Sequence, residues 1–107
     1  MNPMKIATMY YLRRPVEVLN FLEKNRGLVL LLGDVHRMIR SQFQSERLIL
    51  EIIIDPEAEG WEELGILIKT QRDPDEALDL LEKVDDLWFS KEIFERANSD
   101  LSVHLEY

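Results

Sequence analysis

The chain has 107 residues, 46% of them apolar and 32% charged, with a formal net charge of −8 and no cysteine. That is one domain's length with apolar material enough for a core, which excludes a disordered chain, a disulfide framework, a thiol nucleophile and a thiolate metal site. The longest apolar run, Leu28-Val29-Leu30-Leu31-Leu32, falls far short of the ~20 residues a membrane span requires, and no secretory apolar core follows Arg13-Arg14, so a cytoplasmic protein free of membrane is expected.

Residues 1–14 read as a loosely ordered lead-in, with Lys5–Leu12 suited to a short strand or a helical turn. Pro15 has the character of a first-turn helix residue. Val16, Leu19, Phe21 and Leu22 continue an approximate helical stripe that Asn25-Arg26-Gly27 ends. A second helix is predicted over residues 28–43, apolar all round at first and then amphipathic, with Val35, Ile39 and Phe43 spaced by four. Gly33-Asp34 offers a break in it, with Asp34 as the cap of a second piece.

The pattern changes at Arg47. Leu48, Leu50, Ile52 and Ile54 face one way, and Ile49 and Ile53 face the other with Glu51, which predicts a central strand. Asp55–Gly60 is a polar turn led by Asp-Pro, and Leu64–Thr70 is the return strand of a hairpin. Asp73-Pro74-Asp75-Glu76 combines a good N-cap residue, Pro at N1 and Glu at N3. It opens a helix whose apolar stripe is Ala77, Leu78, Leu81, Val84 and Trp88. Residues 90–100 form a charged connection, and Leu101–Tyr107 alternates as a strand with one buried face. The order α-α-β-β-α-β implies an α+β fold of one domain: a three-stranded, mainly antiparallel sheet with helices packed on one face. A single crossing by the third helix would set the last strand parallel to the second and beside the first, at the opposite edge.

Charge is distributed unevenly along this order. Residues 1–50 hold eight Lys/Arg against four Asp/Glu, whereas residues 51–107 hold five against seventeen. Such polarity suits docking onto a complementary protein better than uniform attraction to nucleic acid or membrane.

No constellation assigns a catalytic residue, a metal ligand or a cofactor. Asp55, Glu57, Glu59 and Gly60 imitate positions 1, 3, 5 and 6 of a calcium-binding loop, but Ile66 stands where position 12 needs a bidentate carboxylate. A solvated acidic hairpin tip is the better reading. Glu51, Asp55, Glu62 and Glu63 would be the carboxylates of a metal-dependent enzyme, yet no spacing forces them to converge. His36 and His104 lack ligand partners at helical spacing, although Glu106 shares a strand face with His104. The serines lie in no Gly-x-Ser-x-Gly context, and no Gly-rich phosphate loop is present. Arg37 and Arg40 share a helix face with Arg47 nearby, a patch able to make salt-dependent phosphate contacts. The acidic second half opposes a polyanion, so nucleic acid is the alternative partner and a protein the leading one. Trp61, among Glu59, Glu62 and Glu63, either folds back over the sheet or projects as an interface anchor, and Trp88-Phe89 closes the third helix.

The stretches ILEIIIDPEAEGWEELGILIKT (residues 49–70), EALDLLEKVDDLWF (residues 76–89) and LSVHLEY at the end resemble a group of small uncharacterised prokaryotic α+β proteins with no established activity. The resemblance spans roughly residues 15–107; where that group often has two adjacent tryptophans, this chain has Trp88-Phe89. It implies a prokaryotic cytoplasmic protein and an α+β fold, and it carries over no catalytic residue. The reading from sequence is a non-enzymatic acidic interaction or regulatory module, antitoxin-like in masking a basic protein. Trp61, Glu59, Glu62, Glu63, Trp88 and Phe89 are its candidate contacts. A homodimer through the edge of Leu64–Thr70 is a further route.

Overall fold

The computed structural model of the chain describes residues 3–54, 57, 62–89 and 101–107. They form α1 (Pro3–Met9), β1 (Tyr11–Leu12), α2 (Pro15–Lys24), α3 (Gly27–Gln42), β2 (Arg47–Ile54), β3 (Glu62–Lys69), α4 (Pro74–Phe89) and β4 (Leu101–Glu106).

Local chemistry explains most boundaries. Arg14 adopts a left-handed conformation (φ 50°, ψ 65°) that turns the chain off β1, and Pro15 then opens α2. Asn25 closes that helix: its backbone N–H reaches the carbonyls of Leu22 and Phe21, and its side-chain amide donates to Phe21 as well. Asp73 caps α4 by accepting the Asp75 N–H at 3.2 Å, while the N3 residue Glu76 accepts from Arg72. The break expected at Gly33-Asp34 does not occur. α3 is continuous, with Gly33 buried and Asp34 paired to Arg37. One helical glycine costs about 1 kcal/mol, less than the burial of Leu28, Leu31, Leu32, Val35 and Ile39 on the same helix returns.

The fold is α+β, with a four-stranded mixed sheet in the order β1-β2-β3-β4. β2 and β3 pair antiparallel over their whole length, from Arg47 opposite Lys69 to Ile54 opposite Glu62. β1 adds parallel to β2, with Tyr11 beside Ile49 and Leu12 beside Leu50. β4 adds parallel to β3, from Leu64 beside Leu101 to Lys69 beside Glu106. The three-stranded, mainly antiparallel sheet expected from sequence therefore needs three corrections. The lead-in supplies an extra helix and a short strand. The last strand runs parallel to β3 as expected, but pairs with it because β1 occupies the far side of β2. Leu64–Thr70 is consequently internal to the sheet and offers no edge.

One hydrophobic cluster joins Leu48, Leu50, Ile52, Leu64, Ile66, Ile68 and Leu101 to Val18 and Leu22 of α2, the buried face of α3, and Val84 of α4. The helices thus share one face of the sheet. Ile54 is in phase with this face but 59% exposed, because β2 outruns its cover. Both crossovers, β1–α2–α3–β2 and β3–α4–β4, step the same way across the sheet from strands of opposite direction. With their helices on one face they have opposite hands, so one is the rare left-handed kind.

Gly65 holds the other face close. A Cβ there would lie 2.3 Å from Ile53 Cδ1 and 3.0 Å from its Cγ1, so Ile53 lies over the glycine. Gly65→Ala should cost about 1 kcal/mol or less in denaturant melts, because the δ-methyl of the half-buried Ile53 can turn aside. Combined with Ile53→Ala, its cost should fall well below the sum of the two single changes.

Candidate functional site

The sheet face away from the helices alternates in phase with the core. Register places Tyr11, Ile49, Leu67 and His104 in one row, Glu51, Gly65 and Ser102 in a second, and Arg47, Lys69 and Glu106 in a third. Arg13 continues β1, its N–H donating to the Leu50 carbonyl at 2.9 Å. Its guanidinium donates to Glu106 on β4 through both terminal nitrogens and to Glu51 on β2 at 3.3 Å. Because β1 and β4 are opposite margins of the sheet, this side chain must cross the middle row. Ile49 and Leu67 lie there outside the helix-covered core, yet are only 2% and 9% exposed. Glu106 also receives Lys69 at 3.4 Å. The Arg13 hydrogen bonds hold the Glu106 carboxyl below the usual glutamate range, with Lys69 adding to the effect, and the same pairing pushes the Arg13 guanidinium up.

At the other end of this face, Ser102 donates to Glu63 at 3.1 Å, and His104 Nε2 lies 2.8 Å from the Ser102 hydroxyl. The serine sits between acid and imidazole. Nucleophile activation needs the imidazole between them, so this row is a polar ladder and not a hydrolytic triad.

The basic residues separate. Arg37 pairs with Asp34 on the exposed side of α3. Arg40 ties down the α3–β2 connection by donating to the carbonyls of Phe43 and Glu46. Arg47 lies 5.6 Å from the centroid of the exposed Tyr11 ring. Arg40 and Arg47 do line one shallow groove of about 410 Å³ with Tyr10, Tyr11 and Ser45, whereas Arg37 lies outside it. The nearly buried Glu46 in that groove is neutralised by Arg72, which also holds Glu76. Tyr10 is locked beneath, donating to the Leu32 carbonyl at 2.8 Å and meeting His36 edge-on at 5.4 Å. Burial pushes the Tyr10 hydroxyl pKa up. Burial, reinforced by Arg40 and Arg37, pushes the His36 imidazole down despite a hydrogen bond with the Met9 backbone.

The carboxylates do not gather either. Glu51 is engaged by Arg13 and Arg14, Glu62 borders a groove with Arg14, Lys24 and Ile54, and Glu63 faces the other way onto Ser102. Ile66, at the loop's twelfth position, is buried in β3. Among the described residues, no three His, Asp or Glu side chains could hold a metal ion, and no helix is long and apolar enough to cross a membrane. Asp55, Glu59, Gly60 and Trp61 lie outside the described residues, and Glu57 is exposed. Trp88 and Phe89 occupy the last turn of α4, their side chains also outside the description.

α4 carries the acidic surface. Asp75, Asp79, Glu82 and Asp86 are exposed at four- and three-residue spacing, which sets them in one stripe. Neither these nor Asp85 has a cationic partner among the described residues. Burial, with Asp86 and Glu82 adding their charge, pushes the Asp85 carboxyl up. The charge imbalance of the second half was readable in the sequence. The role of Arg13 was not, since nothing local distinguishes it from Arg14.

Comparison with family models, with curated proteins and with solved structures found no match to this chain.

The lowered Glu106 pKa fixes the sign of one pH effect. A depressed folded-state pKa adds stability above the unfolded value of about 4.3, and that stability is lost as pH falls through the lowered value. Glu106→Gln should therefore lower Tm at neutral pH and make its decline under acid shallower than in the wild type. The effect should be modest, because both partners keep partial solvent access. Parallel Tm-against-pH curves for the two proteins check it.

Proposed function

We propose that the chain is a non-enzymatic protein-interaction module that docks the acidic stripe of α4 against a basic surface of a partner protein. The observation that carries this reading is the set Asp75, Asp79, Glu82, Asp85 and Asp86, which find no cation among the described residues while other surface acids do. Arg13, Arg14, Arg37 and Arg72 each neutralise carboxylates elsewhere in the fold. Like charges at helical spacing oppose one another by a few tenths of a kcal/mol per pair. An approaching cationic surface relieves that repulsion and speeds association through long-range attraction. The exposed Leu78 beside the stripe supplies an apolar contact. Trp88 and Phe89 extend the same helix, and their aromatic chemistry suits an interface anchor. A regulatory, antitoxin-like role that masks a basic protein fits this chemistry.

The alternative is nucleic-acid binding through the basic residues of the first half. Arg37 and Arg40 have partners, so Arg47 with the Tyr11 ring would bear most of it, the aromatic offering a stacking surface.

Affinity capture from a nuclease-treated lysate, with wild-type bait beside Asp79→Lys/Glu82→Lys/Asp86→Lys, tests the reading. The expected result is a basic protein, identified by mass, that is retained at low salt, released at high salt and reduced about tenfold or more with the variant. Retention of the same proteins by both baits would overturn it. So would capture of nucleic acid alone in an untreated lysate, which would turn attention to Arg47 and Tyr11.

A further inference from the structure

β4 ends the sheet, and no described residue pairs with its outer edge. The Thr70 N–H donates to the Glu106 carbonyl at 2.9 Å. In this parallel ladder Ser102, His104 and Glu106 therefore turn their backbone groups toward β3, while Leu101, Val103 and Leu105 turn theirs outward. Proteins commonly guard such an edge with lysine, proline or a bulge. The segment Leu101–Tyr107 has no lysine or proline, and its register with β3 runs without interruption.

The segment is also complementary to itself. Laid antiparallel on a second copy about a two-fold axis at His104, Leu101 faces Tyr107, Ser102 faces Glu106, and Val103 faces Leu105. Apolar residues then meet on the helix-covered side, and on the other side Ser102, donating to Glu63, lies beside a Glu106 already neutralised by Arg13 and Lys69. The hydrogen-bonded pairs would be Val103 with Leu105 and Leu101 with Tyr107, the residues whose backbone groups point outward. Tyr107, 59% exposed in the single chain, gains an apolar neighbour. Moving the two-fold axis to Val103 would instead carry Glu106 and Tyr107 past Leu101, the first described residue of β4, so that neither meets a described partner.

We propose that the chain self-associates through β4, two four-stranded sheets joining into one continuous sheet with His104 at the two-fold axis. This goes beyond docking by α4, and the two respond oppositely to salt. α4 packs beside β4, so pairing brings two acidic helices toward each other, and added salt strengthens self-association.

Sedimentation over low to several hundred micromolar protein, at low and high salt, measures the association. His104→Glu, at an exposed position, should weaken it about tenfold by setting carboxylates at the axis. The chain has no native cysteine, so His104→Cys places one thiol per copy where facing Cα atoms lie about 4.5 Å apart, within reach of a disulfide. Ser102→Cys places its thiols roughly 13 Å apart along the strands. The expected result is a dimer strengthened by salt, linked on mild oxidation by His104→Cys and not by Ser102→Cys. A monomer throughout the range would overturn the proposal. So would a dimer that His104→Glu leaves intact, or one in which both cysteine variants link equally.

Discussion

The structure depends on the register of β2 against β3. With Leu48 opposite Ile68, Leu50 opposite Ile66 and Ile52 opposite Leu64, all six side chains reach the helix-covered face. A slip of either strand by one residue would send its three to the other face and bring Glu51 of β2, or Glu63 and Lys69 of β3, under the helices. Fixing this pair fixes much else. The outer side of β2 is left for β1, the outer side of β3 for β4, and both crossovers must place their apolar stripes on the same side.

On the sheet face away from the helices, Arg13 ties three strands together. A strand buried on both sides by sequence, with Ile49 and Ile53 opposite the core residues, would leave apolar surface bare where no helix lies. Instead Ile53 folds over Gly65, and Arg13 spans the same face from β1 to Glu106 on β4. The arginine can do this because Arg14 takes the left-handed conformation next to Pro15, which turns the backbone into α2 and leaves Arg13 along the sheet. A non-glycine residue in that region carries a cost of order 1–3 kcal/mol. Here the pairing of Arg13 N–H with Leu50 and the contacts of Arg14 with Glu17 and Glu51 hold it in place.

Local signals made the hairpin, α2, α4 and β4 readable in the sequence. Alternation identified β2 and β3, Pro15 and Asn25 bounded α2, and Asp73-Pro74 opened α4. Features set by distant contacts were not readable. Two residues, Tyr11 and Leu12, are too few to show alternation, and they become a strand only because β2 offers them an edge. That small strand then decides where β4 must go. The supposed break at Gly33 followed the propensity of one residue, whereas burial along the whole of α3 prevails. Of the site residues, the acidic bias of the second half was legible, but which acids remain without cations is a property of three-dimensional proximity. Glu46 and Glu76 look no different from Asp79 or Glu82 until Arg72 is seen to reach the first two and not the others.

The same proximity explains how a polarised chain folds without opposing itself. The basic first half does not sit apart as a uniform patch. Arg13 and Arg14 are drawn onto Glu51 and Glu106, and Arg37 answers Asp34 on its own helix. Most cations of that half that touch an acid are thereby committed to the sheet or to α3. α4 packs through Ala77, Val84 and the partly buried Leu80 and Leu81, and its far side meets none of them. Its negative potential is therefore not cancelled by the formal positive charge earlier in the chain. A charge count by halves describes the composition, but the field a partner meets is set by which arginines the sheet has already claimed.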